Sequence, residues 1–343
     1  MYSESDIDGA VAAGVMPRDI ATAFRNHVAA THDAPAVDEE HFRLLSGFND
    51  IFVTIAIALL LAAVAQIGGT ITEALGGAFV AIAAWGLAEY FTRRRRMALP
   101  SIVLLLAFVG GVAATMIGAL VHGNPDFSDR ISALIAAGIA LVTAGAAWLH
   151  WRRFMVPITV AAGAVALVGM VVALALVAFP ALKETIYPVI LIGGLAVFAL
   201  AMRWDMTDRV RETRRADVAF WLHLAAAPMI AHPVFQMLGV FNHDIGIGTA
   251  AIVLALYVVF AFVALAVDRR ALLVSSLVYV LYAMFAVFRS AGAVELSSAL
   301  TALVIGAALL TLSAFWHPMR RLVVGTLGGL SRRLPPVQTL QPA

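Results

Sequence analysis

From Gly47 onward the chain alternates long apolar runs with short polar separators. Ten runs are delimited, at about 48–66, 71–91, 98–121, 131–150, 155–179, 186–202, 218–240, 247–267, 271–289 and 295–316. Each has about the 18–25 residues that a helix needs to cross a bilayer. Inside hydrocarbon a backbone must satisfy its own hydrogen bonds, so the pattern predicts an all-α, polytopic transmembrane helix bundle. Before Gly47 the pattern changes. Ser5-Asp6-Ile7-Asp8 reads as a capping box, with Ile7, Ala10 and Val11 following at helical spacing. Gly14-Val15-Met16-Pro17 ends that helix, and a second is predicted from Pro17 to Ala30 with Ile20, Phe24 and Val28 on one face. Two short helices bury little area alone, so they are expected to dock on the membrane domain or a partner protein, and acidic 31–40 reads as a linker.

The domain expectation is therefore a helix pair and linker at 1–46, ten spans at 47–317 and a tail at 318–343. Residues 319–334 mix Leu322, Val323, Leu327 and Leu330 with four arginines, which predicts an amphipathic helix lying on the membrane surface. The first 46 residues lack the basic start and apolar core of a secretory signal.

Composition agrees with the pattern. Of 343 residues, 62% are hydrophobic and 13% charged, with a mean hydropathy of +0.94. An ordinary soluble domain is about 45–50% apolar and about 25% charged, so that class is excluded and no room is left for a sizeable catalytic domain outside the membrane. The absence of cysteine removes disulfides, thiolate metal sites and thiol nucleophiles. No phosphate loop, His-Glu-x2-His motif or complete Gly-rich nucleotide turn is present, so no enzyme activity, cofactor or resident metal is expected. His122, Asp126, Asp129, His243 and Asp244 could meet in outer loops, but no ligand spacing brings them together.

Charge orients the bundle. The N-terminal segment and the separators after even-numbered runs hold 20 of the 23 basic residues; Arg130, Lys183 and Arg289 lie on the other side. By the positive-inside rule both termini are expected in the cytoplasm. The Arg, Ala and Val richness points to a bacterial inner membrane. Placing the arginines by topology also removes nucleic acid as a partner, leaving membrane lipids, a protein at the N-terminal helices, and an open question of homo-oligomers. The motif Arg-Arg-x3-Pro-x2-Val occurs at Arg95 and Arg152, and Arg-Arg recurs at 214, 269 and 320. Steps of 51–62 residues are the length of a helical hairpin. Either a tandem hairpin array or the common need of each basic turn accounts for them.

Ionisable groups within the spans are costly and mark candidates for function. Span 7 is the richest, with Asp217, Trp221, His223, His232 and Gln236. Pro228 and Pro233 remove two helix hydrogen bonds and predict a kinked or broken helix near mid-depth. At 100° per residue Asp217, Trp221, His232 and Gln236 share about one third of the circumference, with His223 opposite. In span 9, Ser275, Tyr279, Tyr282 and Arg289 form one stripe. Facing each other, these eight residues would line a cavity for a polar or amphipathic solute; the alternative is interhelical hydrogen bonding, with Arg289 paired to Glu295. Asp50 and Glu73 are expected to cap helices, Glu89 to pair with Arg93, and Ser132, Ala136, Ala140 and Ala144 to mark close packing.

The run Ile7-Asp8-Gly9-Ala10-Val11-Ala12-Ala13-Gly14-Val15-Met16-Pro17-Arg18-Asp19-Ile20, ahead of a linker and many spans, resembles domain-of-unknown-function family 2157. That resemblance implies a small helix pair before a membrane run and no catalytic residue. The span count is similar to the drug/metabolite transporter superfamily. Two functions thus stand: solute transport or binding near spans 7 and 9, or a scaffold or sensor that recruits a partner through its N-terminal helices.

Overall fold

A computed structural model of the chain describes residues 4–31, 48–122, 127–209, 211, 213–240, 247–290 and 296–335. Among the described residues the fold is all helical, without strands. It divides into two compact units, Met1–Arg43 and Leu44–Ala343. In the first, α1 (Glu4–Ala12) and α2 (Arg18–Thr31) are joined by a turn in which Gly14 adopts a left-handed conformation. Ser5 lies inside α1 and not at its cap, because the helix begins one residue earlier. Ile7 and Ala21 are buried and Arg25 pairs with Asp8 at 2.6 Å, while Ile20 and Phe24 stay exposed.

The second unit holds α3 (Phe48–Ile71), α4 (Glu73–Ala88), α5 (Ala98–His122), α6 (Asp129–Phe154), α7 (Ile158–Ala178), α8 (Tyr187–Thr207), α9 (Arg214–Met237), α10 (Ile247–Val267), α11 (Ala271–Ser290) and α12 (Ser297–Ala314). These ten helices are long and apolar enough to cross a membrane, and the protein is an integral, multi-pass membrane protein. A shorter helix, α13 (Trp316–Thr326), follows, then a 3-10 turn over Gly328–Arg333. The sixth span runs five residues beyond its apolar stretch, to Thr207, and takes Arg203, Trp204 and Asp205 into the helix. The seventh begins at Arg214, ahead of the apolar residues that announce it. Polar groups extend both helices because partners inside the bundle satisfy them.

Four closely packed helix pairs, α4–α5, α6–α7, α8–α9 and α10–α11, are each joined at the arginine-rich end. In each of these turns one non-glycine residue is left-handed: Arg96, Met155, Arg211 and Asp268. Their separations are 59, 56 and 57 residues. The repeat in the sequence is thus a repeat of conformation, four hairpins closed by a single left-handed residue. At Asp268 the geometry is a helix C-cap, with the Arg269 N–H donating to the Ala264 carbonyl at 2.9 Å.

Small residues set the helix spacing. Gly77 of α4 meets the backbone of α5 near Gly111 and Thr115 so closely that a Cβ would lie 2.4 Å from the Thr115 nitrogen. In α6 the buried small residues are Ala137, Ala144, Ala146 and Ala147, whereas Ser132 and Ala136 face outward. The four-residue stripe expected from sequence drifts around the helix, and only its last member, Ala144, is buried.

Helix α9 is the most buried of the described spans. It packs on α8, α11 and α7. Pro228 and Pro233 lie inside it, yet it runs unbroken from Arg214 to Met237. Pro233 deprives the Met229 carbonyl of its helical donor. Gly194 of α8 covers that carbonyl: a Cβ at Gly194 would lie 2.8 Å from the Met229 carbonyl oxygen. A glycine Cα approaching a freed carbonyl supplies a weak hydrogen bond and keeps the backbone dry.

Gly194→Ala is therefore expected to cost about 1–3 kcal/mol through overpacking and to lower the unfolding temperature in detergent. Gly145→Ala, where a Cβ meets nothing within 4 Å, serves as the control and is expected to be neutral or stabilising.

Candidate functional site

The arginine-rich end of α8, α9 and α11 encloses a cluster of buried charge. Asp205 is fully enclosed. The Arg269 guanidinium grips it with a 2.6 Å bond from Nη2 to Oδ1 and a 3.3 Å bond from Nε to Oδ2. From α9, His223 approaches Oδ2 at 2.9 Å through Nε2. The carboxylate can only accept, so that nitrogen is the donor. Phe198 meets the His223 ring edge-on at 5.0 Å, and Arg269 lies over Phe220 and donates to the Ala216 carbonyl.

A second layer is built on Asp268, in the α10–α11 turn. Arg211 donates to its Oδ2 at 2.9 Å; on Oδ1 the Trp316 indole N–H donates at 2.8 Å and the Arg320 Nε stands at 3.4 Å. Arg211 also donates to the Val267 and Asp268 carbonyls, and Arg320 to the Pro335 carbonyl. Burial, reinforced by the like charge of Arg269, pushes the Arg211 guanidinium below its ordinary range, and Asp268 and Asp205 oppose this. Arginine nonetheless stays protonated in proteins. Asp208 accepts from the Thr213 backbone N–H and hydroxyl and so shapes the α8–α9 turn. Two carboxylates, Asp205 and Asp268, thus hold three guanidiniums, Arg269 on the first and Arg211 and Arg320 on the second.

This arrangement changes the reading of the basic turns. Arg269 and Arg320 are buried ion-pair members and not merely topology markers. The tail is not a free surface helix either: Trp316 and Arg320 anchor α13 in the bundle, while Arg321 and Leu322 face outward.

A second polar group sits near the opposite end of α9. His232 Nδ1 is hydrogen-bonded to the Tyr279 hydroxyl of α11. Tyr279 is buried and stacks on Phe235 at 4.4 Å; Tyr187, the first residue of α8, meets His232 edge-on at 5.9 Å. His232 lies five residues from the end of α9, nearer the membrane interface than mid-depth.

Of the eight candidates, the fold brings His232 and Tyr279 into contact. Trp221 and Tyr282 border the same apolar core as Tyr279. Gln236 and Ser275 are half-buried, and Arg289 is exposed. Asp217 and Gln236 stand about 28 Å apart along α9 at 1.5 Å per residue, so they serve opposite ends. Glu295, the expected partner of Arg289, lies outside the described residues, as do Asp126, His243 and Asp244. Asp129 pairs with Lys183 at 3.2 Å. Among the described residues no group of three His, Asp or Glu side chains could hold a metal.

Asp205 and His150 are buried polar residues outside the eight candidates. The placement of His223 opposite His232 is the signal for the first, since its face had to meet a partner on another helix. His150 is enclosed by Trp85, Phe108 and Phe154, with Thr159 at 3.4 Å from Nδ1. Glu89 pairs with Arg93 at 3.3 Å and, more closely, with Arg153. Glu73 opens α4 behind a Thr72 cap, and Asp50 is buried in the first turn of α3.

No family model, curated protein or solved structure matches the chain.

Removing one member of a buried pair leaves an unpaired charge behind. Asp205→Ala is expected to destabilise the bundle by about 3–5 kcal/mol in detergent unfolding, whereas Asp129→Ala, at an exposed pair, is expected to change it by less than about 1 kcal/mol.

Proposed function

We propose that the protein binds or carries a small polar or amphipathic solute along the α9–α11 interface, with the Asp205–His223–Arg269 cluster as the closed gate at one end. The observation that carries this reading is the placing of two polar groups on one helix pair. The ionic cluster lies at one end; His232 and Tyr279 lie near the other, with His223 and His232 separated by about 14 Å along α9. A pair of buried carboxylates held by arginines is a bistable element, since losing one contact exposes the others to water. His232, exposed and bonded to a buried tyrosine, offers a polar contact to a solute entering from its side.

We infer a bacterial cytoplasmic membrane from the Arg, Ala and Val richness, and both termini inside from the 20 basic residues that the span order assigns to one side. Reporter fusions within 93–96 and 122–130 are expected to be active on opposite sides of the membrane; the same side for both contradicts this topology.

A second reading is a scaffold or sensor that recruits a cytoplasmic partner through its N-terminal helices. Val15, Ile20 and Phe24, exposed on the N-terminal helix pair, favour it as an apolar surface for a partner protein.

The absence of cysteine makes the transport reading directly testable. Ser275→Cys is expected to resist an impermeant maleimide applied from the arginine-rich side and to react about tenfold faster once Asp205→Asn shifts the gate by about 1.4 kcal/mol. Gln236→Cys is expected to react from the opposite side without a gate mutation. If neither cysteine reacts from either side in any background, the interface is dry packing and the reading falls.

A further inference from the structure

At the arginine-rich end, α4 carries a groove that takes no part in the ionic cluster. Its volume is about 490 Å³, and it is lined by Gly86, Glu89, Tyr90, Arg93 and Arg94. From Glu89 to Arg94 the helix widens into a π-helical turn, with the Arg95 N–H donating to the Tyr90 carbonyl five residues back. Such a turn is costly in a regular helix and recurs at functional positions.

The charges around the groove are unequal in their commitments. Glu89 gives both carboxylate oxygens to Arg153, at 2.6 and 2.8 Å, and that pair is locally neutral. Arg95 is occupied with Tyr90: two bonds to the hydroxyl at 3.1 and 3.2 Å and its guanidinium over the ring. Arg93 reaches one Glu89 oxygen, and only at 3.3 Å. Arg94 is exposed and has no ion pair among the described residues. Two guanidiniums with unused donors therefore face the groove, a geometry suited to phosphate oxygens.

The depth and the floor narrow the ligand further. Gly86 leaves the floor open, since a Cβ there would meet nothing within 4 Å. One turn deeper, on the same face of this membrane-spanning helix, Ile82 is 70% exposed. A phosphate at Arg93 and Arg94 would thus continue into an apolar track past Gly86 and Ile82. Beside the groove's Arg153 partner, Arg152 lies over Trp148, an aromatic and basic pairing typical of headgroup depth. We propose that this groove binds the phosphate headgroup of an anionic membrane lipid, with an acyl chain lying against Gly86 and Ile82.

The test titrates the detergent-solubilised full chain with dioleoyl phosphatidylglycerol and reads bound lipid by native mass spectrometry. Arg93→Gln with Arg94→Gln is expected to weaken binding about 25-fold, or about fivefold for each arginine near an anionic headgroup. Gly86→Leu, which fills the floor without changing charge, is expected to weaken it comparably. Arg214→Gln with Arg321→Gln removes two exposed arginines from the same end and is expected to keep native affinity. Inorganic phosphate at matched concentration is expected not to compete. The proposal is overturned if Gly86→Leu binds as the native chain does or if the control pair loses as much as the groove pair. Competition by inorganic phosphate overturns the lipid assignment in favour of a free phosphate site. Should the arginine pair fail to fold, as judged by helicity, Gly86→Leu decides the matter alone.

Discussion

A carboxylate taken out of water must be met by opposite charge and by donors, and in this bundle that requirement falls on Asp205 and Asp268. Asp205, near the end of α8, draws in His223 from α9 and Arg269 from the α10–α11 turn. Asp268, one residue earlier than Arg269, draws in Arg211 from the α8–α9 turn and Trp316 and Arg320 from α13. Adjacent residues in one turn thus serve two separate clusters, so the α10–α11 turn cannot move without disturbing both. Arginine suits the role because its planar fork satisfies a carboxylate and a backbone carbonyl at once, as Arg269 and Arg211 both do.

The rest of the architecture follows from that closed end. Hairpins joined at the arginine-rich side hold their helices close through glycine and alanine contacts, and the left-handed residue in each turn lets the chain reverse within a few positions. Away from the ionic cluster, α9 relies on different means. Its two prolines weaken the backbone ladder, and Gly194 compensates by seating α8 on the Met229 carbonyl. The His232–Tyr279 bond then links α9 to α11 near the other end. One helix is consequently fixed by charge at one end and by aromatic and hydrogen-bonded contact at the other, the asymmetry on which the proposed gate rests.

Much of the fold is legible from hydropathy, because bilayer thickness imposes one length on every span. The ten helices fall where the apolar runs lie, and the wheel that set His223 opposite His232 matches their separate partners, Asp205 and Tyr279. The misreadings share a physical cause. Asp205 sits beyond the apolar run and reads as loop, and Arg211, Arg269 and Arg320 read as topology signals, since sequence spacing carries no information on which charges from distant turns converge. The proline pair in α9 predicts a kinked or broken helix; the helix is continuous, and the glycine that seats against its freed carbonyl lies 35 residues before Met229, out of reach of a local reading. In α6 a small-residue stripe at steps of four rotates away from the buried face, whereas the steps of seven and three at Ala137, Ala144 and Ala147 follow it.

Asp268 and Asp205 together hold the arginine-rich ends of α9, α11 and α13 as one unit. Spin labels on cysteines replacing the exposed Arg215 and Arg321 report the distance across that end by pulsed electron spin resonance. One narrow distribution is expected in the native background and a longer, broader one when Asp268 is changed to Asn. An unchanged distribution in the Asp268→Asn background would contradict it.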